Sequence, residues 1–218
     1  MSKEFIKRLI SSIILIPLSL FFIIKGAFLF NIFLLVSFLI TTHEWYTISK
    51  KKNYQIFGFI FLLFSFYSAY NLRNNFDDQS LTIFLIIIIT CISTDIGGYI
   101  FGKTFQGPKL TKISPKKTYA GVLGGYILSI LSIFILLNHS YLYIVIDYAF
   151  SVEIFIIILL ISTISQIGDI IISYFKRLSK IKDTGKIIPG HGGLLDRIDG
   201  MIFAFPFSFL MVSSKILI

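Results

Sequence analysis

The sequence predicts an all-α, polytopic integral membrane protein, with residues 1–218 forming a single membrane domain. Three observations carry this reading. Of the 218 residues, 56% are hydrophobic and 14% charged, whereas an average soluble domain is about 25% charged; mean hydropathy is +0.86. The apolar residues fall in seven long runs with no alternating pattern, so the spanning elements are helices and not outer-membrane strands. The basic residues sit almost wholly in every second connection between those runs.

Lys3, Lys7 and Arg8 precede the first run, Leu9–Ile24. Lys25 stands where a small-x-small cleavage site would lie, and a second apolar run follows at once. The first run therefore reads as an uncleaved anchor. The others are Ala27–Thr42, Ile56–Tyr70, Leu81–Phe101, Ala120–Leu137, Glu153–Phe175 and Ile202–Leu217. Several are shorter than the about 20 residues that cross a bilayer, so they are expected to tilt, thin the membrane or extend into their flanks.

Orientation follows from charge. With the N-terminus inside, the inner segments hold Lys3, Lys7, Arg8, Lys50–Lys52, Lys103, Lys109, Lys112, Lys116, Lys117, Lys176, Arg177, Lys180, Lys182, Lys186 and Arg197. That is seventeen of the 20 Lys and Arg, leaving only Lys25, Arg73 and Lys215 outside, with Asp77, Asp78, Asp147 and Glu153. The bias predicts seven spans, the N-terminus inside and the C-terminus outside. It also accounts for the net charge of +9 without any nucleic acid. Cys91 is the single cysteine, which excludes an intramolecular disulfide.

Residues 1–90 supply N-terminal membrane helices, and the chemistry-capable residues concentrate in 91–218. Asp169 is the one acidic residue inside its run. A carboxylate at that depth costs several kcal/mol unless paired or metal-bound. Helical spacing puts Asp169, Ser173 and Lys176 on one face. A polar loop follows with Lys176, Arg177, Lys180, Lys182 and Lys186, closing on Pro189 and Gly190-His191-Gly192-Gly193, where bare backbone amides are expected to receive an anion. A second helix is expected to open near Leu194, placing Asp196 and Asp199 at i and i+3 on one face. Carboxylates from two helices around a cationic glycine turn suit a divalent metal and a polyphosphate.

The other inner loop adds Asp95, beside the close-packing pair Gly97-Gly98, and the turn Ser114-Pro115-Lys116-Lys117-Thr118. That turn precedes a helix whose N-terminus suits phosphate. Plainer readings cover other residues. Lys50–Lys52 serve topology and anionic headgroups. His43, Glu44 and Trp45 read as an interfacial aromatic anchor, Asp77 and Asp78 as a solvated outer loop, and the Phe and Ile stripes as packing or lipid contact.

The stretch Ser173–Asp199 resembles the signature of the phosphatidate cytidylyltransferases, or CDP-diacylglycerol synthases. Ser173, Lys176-Arg177, Lys182-Asp183, Gly185, Ile188-Pro189, His191-Gly192-Gly193, Leu194 and Asp196-Arg197-Ile198-Asp199 fill each slot at the right spacing. Ser165-Gln166-x-Gly168-Asp169 and Ser114-Pro115-Lys116-Lys117-Thr118 are similar to two further family blocks. The likeness covers about Asp95 to the C-terminus, and residues 1–90 match only as membrane helices. Ala120 and Ile172 stand where the family usually carries Glu, and the chain is shorter than typical members.

The resemblance implies an enzyme that joins CTP to phosphatidic acid in the bilayer, giving CDP-diacylglycerol and pyrophosphate for phospholipid synthesis. It implies catalytic roles for Asp169, Lys176, Arg177, His191, Asp196, Arg197 and Asp199. Substrate and phosphate contacts fall to Ser114, Lys116, Lys117, Ser173, Lys182, Gly192 and Gly193, and Mg2+ to Asp169, Asp196 and Asp199. The implied place is the inner (plasma) membrane, amid membrane lipids, with the site facing the cytoplasm. Oligomeric state stays open, a homodimer included. The alternatives are a CTP-dependent polyprenol or lipid-alcohol kinase, an ion-coupled transporter using Asp95 and Asp169, and an inactive paralogue, suggested by Ala120 and Ile172.

Overall fold

Helices follow the apolar runs and outgrow them. The computed structural model describes residues 3–76, 79–111, 113–138, 150–190 and 192–214, with the backbone alone for 3–10 and 12. In chain order the helices are α1 (Lys3–Lys25), α2 (Ala27–Ser49), α3 (Gln55–Asn74), α4 (Ser80–Phe105), α5 (Tyr119–Asn138), α6 (Val152–Leu178), α7 (Leu195–Ile198) and α8 (Met201–Ser213). Among the described residues the only β-type pairings are two isolated bridges, Lys109 with Thr118 and Ile188 with Gly192. The protein is all-helical and polytopic.

The short runs solve their length problem by extension. Ala27–Thr42 becomes the 23 residues of α2 and Ile56–Tyr70 the 20 of α3, lengths that cross a bilayer. Five helices, α2 to α6, are long and apolar enough to span. The apolar part of α1, Ile13–Lys25, and α8 are shorter. The 13 residues of α8 rise about 20 Å, less than the roughly 30 Å hydrocarbon core. The end of the expected run Ile202–Leu217 lies outside the described residues.

Residues 1–90 and 91–218 share their core. One cluster joins Phe30 and Leu72 to Ile87, Ile161 and Phe205. A second joins Trp45 and Leu62 to Ile172, Leu195 and Ile202. Trp45 is therefore not an interfacial anchor. It is 4% exposed, donates its ring N–H to the Gln55 carbonyl at 3.0 Å and meets Phe175 edge-on. The last turns of α2 pack against α6, which excludes lipid headgroups from that face.

Glycines set two close approaches that place the polar residues. A Cβ at Gly97 would run into the Gly124 carbonyl, and one at Gly121 would lie 2.8 Å from the Gly98 carbonyl, so α4 and α5 pack backbone to backbone. A Cβ at Gly200 would run into the Ser165 hydroxyl, and one at Gly168 would lie 3.0 Å from the Asp199 carbonyl. This second approach brings the start of α8 against the Asp169 turn of α6.

Candidate active site

The loops 50–54, 106–118 and 179–194 follow the C-terminal ends of α2, α4 and α6. Ser179 donates to the Ile48 carbonyl at 2.6 Å, and Lys117 reaches Asp169. Loop 106–118 is folded back on itself. Leu110 N–H donates to the Lys117 carbonyl at 2.8 Å, and Lys117 N–H to the Ser114 carbonyl at 3.0 Å. Thr118 then caps α5 by accepting the Gly121 N–H at 3.1 Å. This scaffold aims the Lys117 ammonium at Asp169 Oδ2, 2.6 Å away, with a further bond to the Gln166 carbonyl at 3.1 Å. Lys116, its neighbour, is exposed.

Asp169, Ser173 and Lys176 do share a face. Ser173 donates to Asp169 Oδ1 at 3.2 Å. The Asp169 and Asp199 side chains are in hydrogen-bond contact. Asp199 is 7% exposed and accepts the Gly200 N–H at 3.0 Å. Burial, and then the charge of Asp169, push the Asp199 carboxyl well above its ordinary value. Asp95, on the last turns of α4, is the next carboxylate in their field.

Asp196 is engaged differently. Its Oδ1 holds Lys176 at 2.8 Å. Its Oδ2 accepts the Thr184 N–H at 2.7 Å, the Thr184 hydroxyl at 3.1 Å and the Gly193 N–H at 3.0 Å. The backbone stays helical through Asp199 and Gly200, which keeps Asp196 and Asp199 one turn apart, yet their carboxylates take different partners. The three-carboxylate set Asp169, Asp196 and Asp199 thus divides. Asp169 and Asp199 stand together, while Asp196 holds Lys176 of α6 with one oxygen and the loop with the other. Among the described residues, no three His, Cys, Asp or Glu side chains converge closely enough to hold a metal by themselves.

The glycine turn departs from expectation in the same sense. Gly190 and Gly192 take φ of 76° and 90°, which glycine adopts without strain. Its amides are not bare. Gly192 N–H donates to the Ile188 carbonyl at 3.2 Å, Gly193 N–H to Asp196, and the Leu194 and Leu195 N–H groups to Glu44 at 2.9 and 2.8 Å. Of the amides expected to receive an anion, that of Gly192 is taken by a carbonyl and that of Gly193 by a carboxylate. His191 lies outside the described residues.

Glu44 is the residue that sequence reasoning missed. It is the one Asp, Glu, Lys or Arg in α2, which is the same signal that singled out Asp169. Of the remaining basic residues, Lys176 is buried, Lys182 is exposed, and Arg177 is exposed with a bond to the Ile181 carbonyl at 3.4 Å. Arg197 and Asp95 mark the polar end of a cleft of about 440 Å³, whose other walls are mostly apolar side chains such as Ile16, Phe33, Ile92 and Phe205. Ile172 is buried in the apolar cluster beside Trp45 and Leu195.

The profile of the cytidylyltransferase family matches residues 56–215. The chain belongs to the cytidylyltransferase family. It is similar to a phosphatidate cytidylyltransferase of Rickettsia typhi, 38% identical over 93% of this chain and 89% of the relative. The protein of that name from Rickettsia bellii is 36% identical over 94% and 89%. The Bacillus subtilis one is 31% identical over 85% of this chain and 66% of its own length. A cytidylyltransferase is a nucleotidyl-transferring enzyme, and this chain is one. The family match begins well before Asp95, so the likeness takes in part of residues 1–90 as more than generic membrane helices.

Proposed function

We propose that this cytidylyltransferase transfers CMP from CTP to phosphatidic acid, leaving CDP-diacylglycerol in the bilayer and releasing pyrophosphate. The carrying observation is the placement of the Lys117–Asp169–Asp199 group. It lies just ahead of α5 and α8 and against the C-terminal half of α6, next in the chain to Ile198 and Arg197 of a cleft whose mostly apolar walls suit acyl chains. The relatives' names favour the same reaction and not a lipid-alcohol kinase or an ion-coupled transporter.

An oxygen of the lipid phosphate attacks the α-phosphorus of CTP in line, and the bond to pyrophosphate breaks. A phosphate monoester is already anionic near neutral pH, so the protein needs no strong base. Its work is charge neutralisation and positioning. Lys176, Arg177, Lys182, His191 and Arg197 hold phosphate oxygens, with Lys116, Lys117 and Ser114 assisting from the second loop. Ser173 orients Asp169, and Gly192 and Gly193 shape the turn that carries Asp196.

The donor set at Asp169 and Asp199 is oxygen-only and crowded with negative charge. That suits Mg2+, which keeps several waters and takes few protein carboxylates. Bound there, the ion would neutralise charge on the phosphates. The basic partition supports an inner-membrane protein of seven spans with its site toward the cytoplasm.

CTP labelled at the α-phosphate, incubated with phosphatidic acid and magnesium, should yield lipid-soluble label and equimolar pyrophosphate. Lipid label from the γ-phosphate alone would establish a kinase instead.

A further inference from the structure

Glu44 lies near the end of α2, is 2% exposed, and gathers three donors from two separate places in the signature. Its Oε2 accepts the Thr184 hydroxyl at 2.9 Å and the Leu195 N–H at 2.8 Å, and its Oε1 accepts the Leu194 N–H at 2.9 Å. Thr184 opens the stretch that Leu195 closes. One carboxylate therefore fastens both ends of the loop bearing the glycine turn to a helix of residues 1–90. The glycines leave room for it, since a Cβ at Gly185 would stand 2.6 Å from Oε1 and one at Gly193 2.5 Å from Oε2. Leu195, fully buried beside Trp45 and Ile172, seats the same segment from below.

The grip continues into the site. The Thr184 hydroxyl also lies 3.1 Å from Asp196 Oδ2, and the other Asp196 oxygen holds Lys176 at 2.8 Å. From Leu195 the four residues of α7 lead directly to Asp199, against Asp169. The place of Lys176 and Asp199 is thus set by where Glu44 holds the loop.

We infer that Glu44 is a positioning residue for nucleotidyl transfer. Its carboxylate locks 184–195 in the register that presents Lys176 and Asp199 to the reacting phosphates, without itself touching them. The inference rests on the transfer reaction proposed above. It requires a carboxylate, because each oxygen faces a backbone N–H that can only donate. In Glu44→Gln one side becomes an NH2 that must face the N–H of Leu194 or of Leu195, and neither orientation of the amide satisfies both.

The test compares the full-length enzyme with Glu44→Gln, using His43→Ala, an exposed neighbour on the same turn, as control. In E44Q, trypsin should cut after Lys180 and Lys186 at least about fivefold faster, as a locally released loop does, with cutting after Lys109 in the other loop unchanged. Turnover per folded enzyme should fall at least about tenfold, the scale of a displaced catalytic constellation, while KM for CTP and for lipid stays within about threefold. H43A should match the wild type in both. If E44Q does not accumulate folded, E44D carries the same test, since it keeps both acceptor oxygens and shortens only the reach. Unchanged cleavage and turnover would overturn the inference, and so would equal acceleration at Lys109, which marks general loosening. A rise confined to KM would overturn it too, by making Glu44 a substrate contact. If the wild type transfers no CMP, the proposed reaction fails, while the cleavage comparison still decides whether Glu44 fastens the loop.

Discussion

Lys117 places its ammonium 2.6 Å from Asp169 Oδ2, and this ion pair ties the turn ahead of α5 to the face of α6 that meets Asp199. Lys116, one residue earlier, is exposed. The two lysines of one motif therefore differ in what they hold. Lys117→Ala would leave Asp169 beside Asp199 and Asp95 without its nearest cation, and a lost charge-assisted bond of about 1.5–3 kcal/mol corresponds to a roughly ten- to hundredfold fall in turnover. Lys116→Ala should stay within about threefold, the scale of an exposed charge. Steady-state rates of the two purified variants check this, and equal losses would show that position in the motif, not the ion pair, decides.

The two aspartates of the Asp-Arg-x-Asp block should separate in the same way. Asp199 is opposed by burial and by Asp169, which hold its carboxyl above the ordinary range. Asp199→Asn removes that opposition, so thermal stability should hold or rise while turnover falls by orders of magnitude. Asp196→Asn removes the Lys176 pair and sets an NH2 group against the Thr184 and Gly193 amides or against Lys176. It should cost about 1–3 kcal/mol of stability as well as activity. Asp183, exposed in the same loop, is the mild control. Thermal melts beside rates decide, and a D199N protein less stable than D196N would reverse the assignment.

What the sequence made legible was whatever a single residue type or spacing expresses. Asp169 stood out because a lone carboxylate in an apolar run is costly, and its face with Ser173 followed from helical period. What the sequence hid depended on tertiary closure. Glu44 carries the same lone-carboxylate signal as Asp169, yet its donors lie about 140 residues or more away in the chain, so nothing local separates it from an interfacial side chain. The glycine turn looked like an open anion seat because spacing cannot show that Ile188 and Asp196 already take the Gly192 and Gly193 amides. The split between Asp196 and Asp199 lies in their partners, Lys176 and Thr184 for the one and Asp169 for the other, which no periodicity encodes.

Gly97 and Gly98 adjoin in sequence but face different constraints. A Cβ at Gly97 would strike the Gly124 carbonyl, which is backbone and cannot yield, while one at Gly98 finds its nearest atom at an ordinary 3.6 Å. Gly97→Ala should destabilise by about 1–3 kcal/mol, as overpacking does. Gly98→Ala should be neutral or stabilising, since alanine is favoured over glycine in a helix by up to about 1 kcal/mol. Chemical or thermal unfolding of the two variants in the same lipid or detergent compares them directly, and equal costs would mean that α4 and α5 do not meet in this register.

Topology gives the last expectation. α6 runs from Val152, with Ser151 as its N-cap accepting the Ile154 N–H, to Leu178 beside the signature loop. Its 27 residues rise about 40 Å, more than the roughly 30 Å hydrocarbon core. A helix of this length and apolarity is able to cross, which would set its two ends on opposite sides of the bilayer. The C-terminal end is assigned to the side of loop 106–118, since that loop and the connection after α6 both carry basic residues. Seventeen of the 20 Lys and Arg belong to the connections assigned to that side, which the positive-inside bias makes cytoplasmic. A reporter inserted after Thr111 should then read as cytoplasmic, and one inserted after Ser151 as outside. Cytoplasmic signals from both sites would require α6 to re-enter without crossing, and the seven-span topology would fall with it. Opposite signals in the reversed sense would keep the helices and place the Lys117–Asp169 pair away from the nucleotide, which no reaction using CTP from the cytoplasm could tolerate.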